Sequence, residues 1–405
     1  MTSTCRDGVQ QDNEEQRART VPFWHHELRG VWFRVGGRWV LTVLLLSTFM
    51  VGTLSLYWGA LSNVERNLPT LTVWVVDFDG QAAPYNTTPP FVGPIVIETI
   101  VNMSLSKYDR LGWKIMSPRD FQNDLSQVKQ KIYEQHAYAA IVVNHNATAL
   151  LRASVQQGNK SYDPSGAGEV IYMSARDQIT YSSYILPAII HVVNSALHAF
   201  GSEWIMDLSS NVTSQDIFRV PQAINPGIDF TFLDLRPFGP AVASPSITVG
   251  LVYLIIFSFF SFPFFMPLYD ELISRDHPRL RPSHMITLRI IATMGSYLSL
   301  SFCFSLVSVL FHIPFSHHSA SETTEAVNPD AYGKGSFFIV WMLNWVGMAA
   351  LGLPSENMTM FLGMPWNALW LIFWVLSNVS TAFNSLDLAP GFFRWGYVWP
   401  LHRSM

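Results

Sequence analysis

Few residues in this 405-residue chain are spaced to do chemistry. Asp77 and Asp79 flank Phe78 in the stretch VVDFDG and would offer a cation two carboxylates. No third oxygen ligand follows at a calcium-loop spacing, and the Asp-Gly step reads as a turn. His191 and His198 stand seven residues apart, two helical turns, so they share a helix face. Without a carboxylate partner such a pair is ordinarily a surface or core feature and not a metal site. Gly333-Lys334-Gly335 lacks the rest of a phosphate-binding loop, and HExxH, CxxC and GxSxG do not occur. The sequence nominates no catalytic residue, no cofactor-binding residue and no metal ligand, and the expectation is a non-enzyme without a cofactor.

Two other polar sets matter more. Asn86, Asn102, Asn146, Asn159 and Asn211 each open an Asn-X-Ser/Thr triplet, and all five fall between residues 61 and 243. Such a concentration marks a surface glycosylated in a eukaryotic secretory compartment. Asn357 and Asn378 also open such triplets but are expected to stay bare. Asn344 and Asn367 lie inside or beside apolar runs. An amide there either bonds a neighbouring helix or lines a polar path, so both are possible transport-path residues. The apolar runs hold no carboxylate, and Arg289 stands at a run's edge, where its long side chain would reach the interface.

These residues need elements to hold them, and composition says which. Only 13% of residues are charged and 49% are hydrophobic, with a net charge of −4. Soluble proteins carry charge on roughly a quarter of positions, so part of this surface is solvated by lipid, and nothing points to nucleic acid. The two cysteines, Cys5 and Cys303, define no disulfide framework. Charge-free runs predict spans at 39–60, 247–266, 290–311, 337–353 and 366–383, near the length needed to cross hydrocarbon. Around them lie an N-terminal tail (1–38), a large intervening domain (61–243), loops at 267–289 and 312–336, a linker at 354–365 and a terminal segment at 384–405. Arg29, Arg34 and Arg38 precede the first span, and Arg275, Arg279, Arg281 and Arg289 follow the second. That bias places the N-terminus in the cytoplasm and residues 61–243 outside it.

Within 61–243, LTVWVVDFDG, AYAAIVVN and EVIYMSARD read as strands and LGWKIM as a short one. VGPIVIETIVNMS, the stretch after Ser117-Pro118, and about 178–208 read as helices. Alternating strands and helices predict an α/β domain with a small mixed sheet. The fold class expected is thus a membrane protein: a helical bundle of about five spans with an α/β extracytoplasmic domain between the first two.

The single leading span, the VVDFDG strand, and the runs MLNWVGMAALGLPSENMTMFLG and IFWVLSNVSTAFNSLDLAPGFFRWGYVWPLH resemble the fungal nitrosoguanidine-resistance membrane proteins, over residues from about 30 to 402. That family is similar in layout to the membrane halves of ABC-2-type exporters. The resemblance implies that Phe392, Phe393, Trp395, Tyr397 and Trp399 form an interfacial or re-entrant stretch leading to a sixth span, where this chain instead reads Arg403-Ser404-Met405. The apolar runs themselves make the protein multi-pass, and with no clear address in the termini the expected location is the plasma membrane or an endomembrane. The resemblance further implies a contribution to efflux of small toxic molecules, with a homodimer or an associated membrane partner possible. A non-transporting regulator or scaffold that affects lipid distribution is the alternative.

Overall fold

The computed structural model describes residues 25–104, 111–211, 219–273, 281–315, 332–363 and 365–404. The chain divides into two units, Met1–Ser55 and Leu56–Met405. The first unit holds most of α1 (Arg29–Ala60), whose apolar side chains, among them Phe33, Leu41 and Val51, stand exposed. A continuous uncovered apolar helix of this length is stable in hydrocarbon and not in water.

In the second unit the chain alternates β1 (Thr72–Asp77), α2 (Val92–Ser104), β2 (Gly112–Met116), α3 (Leu125–Tyr133), β3 (Ala139–Val143), α4 (Ala147–Gln157) and β4 (Gly168–Tyr172). Then come α5 (Leu186–Asn211), entered through a π-helical turn at Tyr181–Ile185, and β5 (Phe230–Asp234). The five strands form one sheet in the order β2-β1-β3-β4-β5. Neighbours are parallel except β3 and β4, which pair antiparallel from Ala139 opposite Tyr172 to Val143 opposite Gly168. Strand side chains alternate between faces. Val73, Val75, Ile141 and Val170 pack with Val96 and Ile100 of α2 and a long stripe of α5, while Trp74, Val76, Val142 and Ile171 meet Val128 and Ile132 of α3.

The strands and helices expected in this stretch are thus present, with a helix, α4, and a fifth strand, β5, that the sequence reading omitted. Helices lie on both faces because β1–α2–β2 and β2–α3–β3 step in opposite directions across the sheet.

A helical bundle follows: α6 (Val249–Ile273), α7 (Pro282–Leu310), α8 (Ser336–Leu362) and α9 (Trp366–Ala382). Its core joins Leu254, Ile255, Tyr297, Met348, Leu351 and Trp374. Gly352 is where the backbones close in: a Cβ there would lie 2.2 Å from the Tyr297 hydroxyl and 2.8 Å from Ser258 Cβ. Indole N–H groups find carbonyls on facing helices, Trp345 on Met294 at 3.0 Å and Trp374 on Leu351 at 3.0 Å. These bonds satisfy the one donor of each indole inside the bundle.

Among the described residues, five helical stretches are long and apolar enough to cross a membrane, those containing α1, α5, α6, α7 and α8. This set differs from the expected one. The 17-residue α9 spans only about 26 Å and falls short by length, yet it packs in the bundle core. α5 enters on composition, with a mean hydropathy of 1.3 against 2.2 for the stretch containing α6. An apolar stripe of Ile189, Val192, Ala196, Phe200 and Trp204 is buried against the sheet, while the outer face exposes His191, Asn194, His198 and Glu203 together with Ile190, Ile205 and Met206. That is the amphipathic pattern of a helix covering a sheet, so we assign α5 to the α/β layer.

Two boundaries need correction. The linker expected at 354–365 is helical to Leu362, because Pro354 sits inside α8 without ending it. A proline is accommodated in a bundle when neighbouring groups satisfy the freed carbonyl. The loop expected at 267–289 is helical at both ends, so Arg289 stands two turns inside α7. Arg275 and Arg279, like the 316–331 part of the expected outer loop, lie outside the described residues.

Candidate functional site

β3 begins and β4 ends at the same rim of the sheet, the edge that runs across its strand ends. Tyr138 immediately precedes β3, and Arg176 and Asp177 follow β4. The chain leaving α9 reaches this edge: Leu388 is buried in the sheet's core cluster, and Asn67 donates to the Leu388 and Ala389 carbonyls at 3.0 and 3.2 Å. Between the sheet edge and the end of α9 lies a cleft of about 470 Å³. Tyr138, Arg176, Asp177, Asp387, Tyr397 and His402 provide its polar groups, and Ile179, Phe238 and Phe383 provide apolar wall.

The Tyr138 phenol organises it. Its hydroxyl donates to Asp387 Oδ2 at 2.7 Å and lies 2.8 Å from Ser385 Oγ. The Arg176 guanidinium stacks 3.9 Å from the ring centroid, while its Nη1 donates to the Ala137 carbonyl at 3.1 Å. Burial, reinforced by Asp387, pushes the Tyr138 phenol well above the usual range, so it remains a donor at any physiological pH. Asp177 accepts from the Thr180 N–H at 3.0 Å and the Thr180 hydroxyl at 2.6 Å, and burial raises its pKa despite those bonds. Ser385 N–H donates to the same Thr180 hydroxyl at 3.3 Å, joining the α9 exit to the start of the α5 segment. Tyr397 reaches the other Asp387 oxygen at 3.4 Å, and His402 Nδ1 lies 3.0 Å from the Thr381 carbonyl. Fixed cation, carboxylates and phenols beside apolar wall suit the capture of a small amphipathic molecule.

A second polar cluster lies in the bundle. Arg289 Nε and Nη2 donate to Glu356 Oε1 at 2.8 and 2.7 Å, and Thr293 donates to Oε2 at 3.3 Å. The guanidinium also lies over Phe262 and Tyr269. Arg289 stands one residue before the expected span 290–311 and Glu356 three residues beyond 337–353, so the pair lies where α7 and α8 continue past the charge-free runs. Glu356 is buried between helices, and Arg289 turns inward to it instead of extending to the interface, because an unpaired carboxylate there would be too costly.

The other nominated residues separate. Asn86, Asn102 and Asn159 are exposed, Asn146 is half-buried ahead of α4, and Asn211 closes α5. The side chain of Asn211 lies outside the described residues. Asn344 donates to Ser305 across α7 and α8 at 2.9 Å. Asn367 is buried at the start of α9, its side-chain oxygen without a partner among the described residues. Eighteen helical residues, roughly 27 Å, separate Asn344 from the end of α8 that leads to Asn367, so the two form no common site. Among the five terminal aromatics, Phe392 and Tyr397 are exposed while Phe393 is buried. The Trp399 ring lies tilted against Trp374, 5.6 Å between centroids, and its N–H donates to Ser377 Oγ at 3.0 Å. The expected terminal interfacial stretch is thus partly folded back onto α9. Gly396 permits this, since a Cβ there would come within 2.5 Å of Thr381 Cβ.

Asp79 takes the turn role: its carboxylate accepts from Gly93 N–H and from Thr148 N–H and hydroxyl, capping α2 and α4 together. Asp77 accepts the Asp79 N–H at 2.9 Å. His191 and His198 stay on the exposed face of α5, and among the described residues no three His, Cys, Asp or Glu converge on a metal position.

A family described as protein of unknown function (DUF3533) matches residues 42–405. The chain belongs to that family. It is also similar to an uncharacterized endoplasmic reticulum membrane protein of Saccharomyces cerevisiae, at 24% identity over 94% of this chain and 74% of the relative. No solved structure matches. The apolar helices and this fungal relative make the DUF3533 member described here a multi-pass membrane protein.

Sequence reasoning passed over Tyr138, Arg176, Asp177, Asp387 and Glu356. The first four come from three separate segments and carry no spacing signal. Glu356 had one: it follows an apolar run by three residues.

Proposed function

We propose that this protein captures small toxic amphiphiles and contributes to their efflux, the cleft between sheet edge and α9 being the capture site. The single observation that carries this reading is the 470 Å³ cleft itself, with charges of both signs and apolar wall at the end of a bundle helix. Its groups bind and orient charge, so the role inferred is binding and not catalysis. The resemblance to nitrosoguanidine-resistance proteins and to the ABC-2-type layout supports the same direction. In this reading the N-terminus is cytoplasmic and the α/β layer faces the lumen or exterior. The arginine bias and the sequons support that orientation. A second copy or another membrane protein would complete the translocating assembly.

The test is intracellular toxicant level. Cells lacking the protein are expected to accumulate nitrosoguanidine-type compounds, and Asp387→Ala, which removes the Tyr138 acceptor, is expected to restore efflux incompletely. Equal accumulation with and without the protein would overturn the reading. One observation favours a non-transporting regulator of lipid distribution: Asn344 is engaged with Ser305, and Gly352 is closed against Tyr297, so one copy leaves little room between these helices. Under that alternative, Asn344→Leu and Asn367→Leu leave toxicant flux unchanged while deletion alters lipid exposure at the outer leaflet.

A further inference from the structure

In the cleft two opposite charges are held apart on one side chain. Arg176 lies over the face of the Tyr138 ring, and Asp387 accepts from the hydroxyl at its end. Among the described residues no carboxylate comes within ion-pair distance of Arg176, and no cation comes within that distance of Asp387. An ion pair serving only stability would close to direct contact, as Arg289 and Glu356 do at 2.7 Å. Here the ring prevents closure and leaves each charge facing cleft space. The complement of a cation and an anion fixed one phenol apart is a zwitterion with its own charges a few bonds apart.

The apolar wall adds a second requirement. Ile179, Phe238 and Phe383 line the cleft, Phe383 directly following α9. Exposed Tyr397 and Val398 extend that apolar surface beside it. A ligand satisfying both requirements carries a zwitterionic head and a hydrocarbon tail. We infer that the cleft binds the headgroup of a zwitterionic phospholipid, its phosphate on Arg176 and its ammonium on Asp387 and the tyrosines. This rests on the cleft being a binding site, as proposed above, and specifies the chemistry it selects. A guanidinium suits phosphate because it presents paired planar donors, and an ammonium suits a carboxylate flanked by aromatic rings.

The experiment uses the full chain in nanodiscs of phosphatidylglycerol into which phosphatidylcholine is titrated, with protein-retained lipid read by native mass spectrometry. Wild-type protein is expected to retain phosphatidylcholine beyond its share of the bilayer. Arg176→Gln and Asp387→Asn are each expected to weaken that preference about tenfold, the scale of one charge-assisted contact. Asp387→Asn should at the same time raise phosphatidylglycerol retention, since a repelling carboxylate is gone. A misfolded variant would lose both lipids, so this opposite movement separates recognition from collapse.

Retention that follows bilayer composition in wild type, or variants that leave it unchanged, would overturn the inference. Competition by soluble glycerophosphocholine as strong as by the intact lipid would overturn the assignment to a membrane lipid. Toxicant levels report separately: headgroup selectivity with unaltered toxicant flux removes the efflux reading and leaves this one, and the converse holds.

Discussion

Asp77 shows how one residue can be structural and still set a pH response. Burial raises its carboxyl from the ordinary value near 3.8 to about 6, against the Asp79 N–H bond, which lowers it, and with a smaller rise from the Asp79 charge. Because the folded-state pKa lies above the unfolded one, the native state holds a proton that the unfolded chain releases between these values. The stability linked to that proton is fully present below about pH 4 and is lost as pH rises through about 6, a change of about 3 kcal/mol. Asp77→Asn keeps an acceptor for the Asp79 N–H and removes the titration. Thermal proteolysis of wild type and variant in detergent is expected to show equal resistance near pH 4 and a more resistant variant at pH 7. Curves that stay parallel across that range would contradict the assignment. The nearby Asp79 is a different case, since its oxygens are fully used in holding α2 and α4 at the ends of β1 and β3.

Between elements, the informative contact is the Arg289–Glu356 pair joining α7 to α8. A buried pair adds little net stability, but removing one member strands the other, at about 3–5 kcal/mol. Glu356→Ala is therefore expected to lower the thermal midpoint of the detergent-solubilised protein sharply. Joint replacement by Arg289→Met and Glu356→Met is expected to recover most of the loss. If the single and double variants melt alike, the pair is not what holds the two helices in register. The same scale explains why α5 belongs with the sheet despite its hydropathy. A period-3.6 stripe from Ile189 to Trp204 is matched by a polar face at His191, Asn194 and His198, which hydrocarbon would not tolerate as readily as water.

For the molecule as a whole, the open question is which side of the membrane holds the sheet. Glycosylation reads this directly. With the proposed orientation, endoglycosidase is expected to increase the protein's gel mobility, and Gln substitution at exposed Asn86, Asn102 and Asn159 to remove most of that change. Asn378→Gln is expected to have no effect, because the Asn378 side chain is buried, donating to the Trp374 carbonyl and accepting from Leu401 N–H. Mobility indifferent to the enzyme would remove the sequons as support for the proposed orientation.

The sequence by itself determined the local elements. Charge-free runs marked α1, α6, α7 and the first part of α8, and β-branched runs marked β1 and β3, because hydrophobic length and periodicity are properties of neighbouring residues. It also flagged Asp79-Gly80 as a turn. Only the tertiary structure decided that Leu388, after the last long helix, fills the core of a sheet begun more than 300 positions earlier. It alone placed Asp387 against Tyr138 and folded Arg289 onto Glu356. Such pairings depend on which surfaces the packed helices and sheet bring together, and a carboxylate or phenol standing alone in the chain carries no mark of the partner that packing will give it.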